Sequence, residues 1–167
     1  MSKKSSIAPK HSEIVSSWEI VFPNDTNPHG TMFGGKVMAI MDKIAAIAAG
    51  RYAERAVVTV STEGIIFKRP IRVGDRLNIL ARVVWVGTSS MVVKVDVYAE
   101  TPLTYERTHC TTARFNFVAL DENSKPTAAP PLLLENDEEK REYELAEFVI
   151  KQALDRKRKI EENERGK

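Results

Sequence analysis

Asn27, His29 and Asp42, with Gly34 and Gly35 between them, are the residues of this chain whose types and spacing best suit chemistry; they fall in PNDTNPHGTMFGGKVMAIMDKIAAIAAG, Pro23 to Gly50. A carboxylate can serve as base or nucleophile, and an amide side chain can orient a water or hold a carbonyl. The free backbone amides at the start of a helix can polarise a carbonyl oxygen. Carboxylate, amide and oxyanion donors are together the parts of an acyl-transfer or hydrolysis site. A lone acid on a helix is also compatible with a solvated rim. The loop residues Asn27 and His29, and the small side chains around Asp42, favour a carboxylate approached closely by another element.

The elements that must position these groups are readable from pattern. Asn24, Asp25, Asn27, Pro28 and Gly30 are turn formers, and Gly34-Gly35 gives a backbone without Cβ where a helix begins. From Lys36 the apolar residues Val37, Ile40, Met41, Ile44, Ile47 and Ala48 recur at helical spacing, and Gly50 is the expected stop. Asp42 projects with Met38, Ala39, Ala46 and Ala49, away from Lys36 and Lys43. Before the loop, Glu13 to Phe22 reads as a strand with Ile14, Trp18, Ile20 and Phe22 in one phase. After the helix come four β-rich runs, VVTVSTEGIIF, RLNILARVVWV, SMVVKVDVYAE and RTHCTTARFNFVAL, joined by short connections that favour antiparallel neighbours. The buried face of such a sheet is expected to cover the helix on all its apolar sides. This is an α+β layout, an antiparallel curved sheet wrapped around one long central helix.

The expected organisation is a flexible N-terminus over 1–12, one domain over 13–121, a Pro-rich linker over 122–134 and a charged amphipathic helix over 135–167, with Asp137 as its cap. At 167 residues and 43% hydrophobic the chain is of single-domain size. Its 25 basic and 23 acidic residues nearly balance, so no broad basic field suits a nucleic acid. One cysteine, Cys110, excludes an internal disulfide and fits a reducing compartment as a small buried hydrophobe. There is no apolar run of membrane-spanning length, no zinc-type spacing and no phosphate loop. A cytoplasmic protein with no metal, no nucleic-acid partner and no membrane partner is expected.

The run DTNPHGTMFGGKVMAIMDKIAAIAA, followed by VVTVSTEGIIFKRPIRVGDRLNILARVVWVGTSSMVV, resembles the hotdog-fold acyl-CoA thioesterases, within them the bacterial cytosolic acyl-CoA hydrolases related to the brain-type and cytosolic enzymes. The resemblance covers about Trp18 to Leu120. It implies a homodimer with two central helices side by side under a continuous sheet, often assembled into a trimer of dimers, and acyl-CoA bound at the subunit interface. A loop Asn and a helix Asp from opposite subunits form the catalytic pair, here Asn27 and Asp42. Another branch carries an acid just after the loop glycine; Thr31 occupies that position here, which leaves the burden on Asp42. In this reading Gly34 and Gly35 hold the thioester oxygen and Asp42 acts as general base or as nucleophile. Thr62 is a further hydrogen-bond donor, and Lys68, Arg69, Arg72, Ser89 and Ser90 are candidates for phosphate or pantetheine. No cofactor is implied beyond the coenzyme A of the substrate.

Two rivals remain open in the sequence. Asp25-Thr26-Asn27-Pro28-His29 is similar to the D-x-N-P-x-H signature of hotdog enoyl-CoA hydratases, with its His one residue early. A non-catalytic acyl-CoA sensor is the other, although the N-terminus has little room for a DNA-binding segment.

Overall fold

A computed structural model of the chain describes residues 7–165. Strand β1 (Val15–Ile20) leads through the loop to helix α1 (Gly34–Ala53). Strands β2 (Ala56–Thr62), β3 (Arg76–Val86), β4 (Ser90–Glu100) and β5 (Arg107–Leu120) follow, and helix α2 (Asp137–Arg165) closes the described chain. The five strands form one antiparallel sheet in the order β1-β3-β4-β5-β2, which places β1 and β2 at opposite edges. The β3-β4-β5 meander comes from the short connections already visible in the sequence. This is the α+β architecture expected, with α1 laid against the concave face and α2 against the other.

The core lies between α1 and the sheet. Val37, Met41, Ala45, Ala48, Ala49 and Tyr52 of α1 meet Leu77, Ile79, Met91, Val93, Val95 and Phe117 of the strands. Each such large side chain taken from water contributes about 1.5–3 kcal/mol. Contrary to expectation, the helix is not covered on all its apolar sides: Met38 and Ile47 remain 37% and 48% exposed. The helix also runs through Gly50 and ends at Glu54 in the left-handed conformation, because Tyr52 and Ala53 are still buried against the core. Burial outweighs the cost of one helical glycine.

Two other expectations are revised, and the facing of β1, left open by its alternation, is fixed. The apolar phase of β1 points outward: Ile14, Trp18, Ile20 and Phe22 are exposed, and Val15 and Val21 turn in. The run VVTVSTEGIIF is a strand only to Thr62; beyond it the chain follows β5 through single bonds, Glu63 N–H to Arg114 O and Lys68 N–H to Cys110 O. The cap of α2 is Asn136, whose Oδ1 accepts the Glu139 N–H at 2.9 Å, so Asp137 is the first helical residue and not the cap.

Residues 1–6 of the segment expected to be flexible lie outside the described residues. Lys10 and Ser12 are tied down: Lys10 N–H donates to Pro131 O, and Ser12 Oγ accepts the Val83 N–H. The 122–134 stretch crosses the end of α1, where the buried Tyr52 hydroxyl donates to Pro130 O at 3.0 Å. On the outer face Glu142 of α2 accepts from Lys94 at 2.7 Å and from Arg114 at 2.9 Å, beside the packing of Ala146 on Val84 and Val92.

Candidate active site

The loop before α1 is rigid because its polar side chains are engaged locally. Asp25 accepts the Phe22 N–H at 2.9 Å and the Lys36 ammonium at 2.7 Å, and the Lys36 contact first, then the Phe22 N–H, holds this carboxyl below its usual range. Asn27 closes a turn: its Oδ1 accepts the His29 and Thr31 N–H groups at 2.9 and 3.3 Å, and its Nδ2 donates to Thr31 Oγ1 at 2.9 Å. Gly30 completes the turn at φ 74°, a conformation that favours glycine. Asp25 thus has both oxygens on the scaffold, and it is the His29 backbone N–H that meets Asn27.

Helix α1 starts without a side-chain cap. The N–H groups of Lys36 and Val37 turn back to Phe33 O, so those of Gly34 and Gly35 stand ahead of the helical ladder. Such amides favour negative charge. Gly34 also allows a close approach: a Cβ there would stand 3.3 Å from the Phe67 ring, which would have to give by a few tenths of an ångström. The Phe67–Ile71 stretch docks on the loop through Met32 N–H to Ile71 O and a bridge between Thr31 and Arg72. Between them lies a recess of about 340 Å³ walled by Thr31, Gly34, Val37 and Phe67, with Lys68 and Arg69 on its lining. The structure thereby brings together Gly34, Lys68 and Arg69, with Arg72 beside them.

Asp42 lies two turns further along α1, half-buried, and accepts a hydrogen bond at 2.8 Å from Thr59 Oγ1 on β2. Thr59 is the residue that sequence reasoning missed. Thr62, named instead, donates to Glu63 O and Arg114 O and does not turn to Asp42. The strand irregularity between Thr59 and Ser61 alters the phase, which alternation alone does not reveal. Gly34 and Asp42 are eight helical positions apart, about 12 Å along the axis. Within one chain Asp42 therefore stands about two helical turns from the Gly34 and Gly35 amides.

Ser89 and Ser90 lie at the β3-β4 turn, where Ser89 O accepts the Ala119 N–H and Ser90 pairs with Val118. Lys68 bonds to Cys110, so the two groups of candidate coenzyme A residues are about 26 Å apart along β5 of one chain. Cys110 is buried, and burial pushes its thiol pKa up, as suits a structural hydrophobe. Among the described residues no group of three or more His, Cys, Asp or Glu is arranged to hold a metal ion, and no helix is long and apolar enough to cross a membrane.

Comparison with known proteins gives this geometry its context. The thioesterase superfamily model matches residues 29–106. A Bacillus subtilis protein, the uncharacterized acyl-CoA thioester hydrolase YkhA, is 45% identical over 130 residues, 78% of this chain and 75% of that one. Among solved structures, an acyl-CoA hydrolase of Staphylococcus aureus in complex with butyryl coenzyme A and coenzyme A is 37% identical, with TM-score 0.83 over 90% of this chain and 92% of that one. Structures of variants of the same enzyme, with an aspartate, a threonine or an asparagine replaced by alanine, match with TM-scores of 0.87, 0.84 and 0.88. A hexameric acyl-CoA thioesterase is 39% identical, with TM-score 0.86 over 90% of this chain and 97% of that one. The fold, the uncapped helix beside a cationic recess and these likenesses together show that the chain belongs to the thioesterase superfamily, among its hotdog-fold acyl-CoA thioester hydrolases.

Proposed function

We propose that this chain hydrolyses acyl-CoA to fatty acid and coenzyme A at a site shared by two copies, with Asp42 and Thr59 from one and Asn27, Gly34 and Gly35 from the other. The observation that carries the reading is the spacing of about 12 Å along α1, which separates the base from the oxyanion donors within a chain and supports a site completed by a second chain. A surface for that second chain is at hand. The outer edge of β2 has no strand partner among the described residues, Val58 and Val60 on it are 44% and 60% exposed, and Met38 and Ile47 of α1 are uncovered on the same molecule. Pairing β2 with its copy would extend the sheet and set the two α1 helices side by side. Further association into a trimer of dimers follows the hexameric relative.

In this site the thioester carbonyl oxygen rests on the Gly34 and Gly35 amides, where loss of one donor costs about 3 kcal/mol of barrier. Asn27, fixed by its turn, holds the carbonyl or the attacking water. Asp42, oriented by Thr59, takes a proton from that water as it adds to the carbonyl carbon, or adds itself to give an anhydride that water then opens. In both routes the C–S bond breaks and the sulfur leaves as a thiolate that takes up a proton. The same three residue types, Asp, Thr and Asn, were each replaced by alanine in the Staphylococcus aureus relative, which supports the assignment. Lys68 and Arg69, with Arg72 nearby, receive the phosphates of coenzyme A. Ser89 and Ser90 enter as the other chain's contribution to the nucleotide. No cofactor beyond the substrate's own coenzyme A takes part.

The test is thiol release from a panel of acyl-CoA chain lengths by wild type and Asp42→Ala. Release by wild type and a fall of about 10²- to 10⁴-fold in kcat for the variant are expected. Equal activity of the two would remove Asp42 from the mechanism. Hydration of crotonyl-CoA without thiol release from butyryl-CoA would replace the reading with a hydratase.

A further inference from the structure

We propose that Asp25 and Lys36 are positioning residues, a clamp that sets Asn27 against the Gly34 and Gly35 amides and keeps those amides open. The inference rests on the reading that these amides take the thioester oxygen, and it names what holds them ready. Lys36 is the third residue of α1, after an N-cap at Phe33. A helix is ordinarily served there by an acid, because its amide end carries positive charge and a carboxylate at this position can fold back on the N-cap N–H. In α1 the first turn holds no acid, the N-cap makes no side-chain bond, and a lysine stands where the helix dipole disfavours it. Its ammonium reaches back into the loop, donating to Asn24 O at 2.8 Å and to Asp25 Oδ1 at 2.7 Å.

Asp25 is the other half of the clamp. Its Oδ2 accepts the Phe22 N–H at 2.9 Å, and its backbone oxygen accepts the Phe33 N–H at 3.0 Å. One residue thus ties together the start of the loop, the N-cap and the first turn of α1. Asn27 follows two positions on, in the turn that its own N–H closes on Thr31 O. The N-cap amide is satisfied by a carbonyl and the loop carboxylate by an ammonium, so Asp25 is held off Gly34 and Gly35 instead of capping them. The turn that carries Asn27 is fixed to the same helix end that carries the donors, which is the condition for preorganised stabilisation of an oxyanion. The Lys36 and Asp25 side chains are 44% and 22% exposed, so their pairing contributes little to folding. A pair of small worth to the fold, at a helix position that disfavours its cation, is explained by the geometry it imposes.

The test measures thiol release over a range of acyl-CoA concentrations, with Tm and amide hydrogen exchange on the same samples, for the full chain and three variants. Lys36→Met is expected to lose about 10- to 100-fold in kcat, with KM within about threefold and Tm within about 3 °C of wild type. Lys36→Arg keeps the ion pair and should retain most of kcat, whereas Asp25→Asn should lose about as much as Lys36→Met. Exchange at the Asn27 and Phe33 amides should speed up in Lys36→Met while that of β3, β4 and β5 stays unchanged. Wild-type kcat in Lys36→Met, a loss confined to KM, an arginine variant as poor as methionine, or unchanged loop exchange would each overturn the inference. So would hydration of crotonyl-CoA that Asp25→Asn abolishes, since Asp25 would then be a reacting group. A wild type that releases no thiol would refute the catalytic reading instead, and faster loop exchange in Lys36→Met would then leave the clamp standing.

Discussion

Valine in place of Thr59 removes one hydroxyl and keeps the size and the β-branched shape that suit a strand. The hydroxyl lies 2.8 Å from Asp42 Oδ1, and hydrogen bonds to charged groups contribute about 1.5–3 kcal/mol. If Asp42 reacts only in the orientation Thr59 gives it, that energy is lost in the transition state, a fall of about 10- to 150-fold in kcat. Thr59 touches no substrate in this account, so KM should move little. Because Thr59 is exposed in the single chain, the change in folding stability should stay within about 0.5 kcal/mol. Steady-state thiol release across a range of acyl-CoA concentrations, with thermal unfolding on the same samples, separates these effects. Thr59→Ser keeps the donor and should recover most of kcat. A valine variant with wild-type kcat, or a serine variant as poor as valine, would refute the positioning role.

Two further predictions concern stability and pH. Burial raises the Glu142 pKa, but its hydrogen bond and ion pair with Lys94, then those with Arg114, bring it below its ordinary 4.5. A lowered native value stabilises the fold above that ordinary value, and the contribution fades as pH falls through the native one. Glu142→Gln should therefore lower Tm clearly near neutrality, by about 2 kcal/mol of stability, with a gap to wild type that closes below pH 4.5; a gap independent of pH would contradict this. Burial alone pushes the Tyr52 phenol from 10.0 up to about 12, so wild-type stability should drop as pH rises between those values, where the unfolded chain ionises first. Tyr52→Phe should cost about 1–2 kcal/mol at neutral pH by leaving Pro130 O unpaired, and should lack that alkaline drop.

Much of the scaffold was legible because its signals are local. Helical spacing from Val37 to Ala48, the three long strands bounded by Arg76, Glu100 and Leu120, and the turn formers around Asn27 each declare their structure within a few residues. The cap of α2 was read one residue late because Asn136 and Asp137 are both good caps, and only the Glu139 N–H decides between them. The outward turn of Trp18 and Ile20 was hidden for a different reason. Period-two alternation separates two faces without saying which meets the core. Thr59 escaped because an irregularity follows it in β2, and its partner Asp42 is seventeen positions away on another element. The proposed sharing of the site between two chains has no local signal; the spacing of Gly34 and Asp42 along α1 is what argues for it.

The most direct test mixes two inactive proteins, Asp42→Ala and Asn27→Ala, after dissociation and reassembly. If each site takes Asp42 from one chain and Asn27 from the other, a mixed dimer holds one site with both residues intact and one with neither. Random reassembly should then restore about one quarter of wild-type thiol release. Reassembled mixtures that contain mixed dimers and remain as inactive as their parents would contradict a site shared between chains.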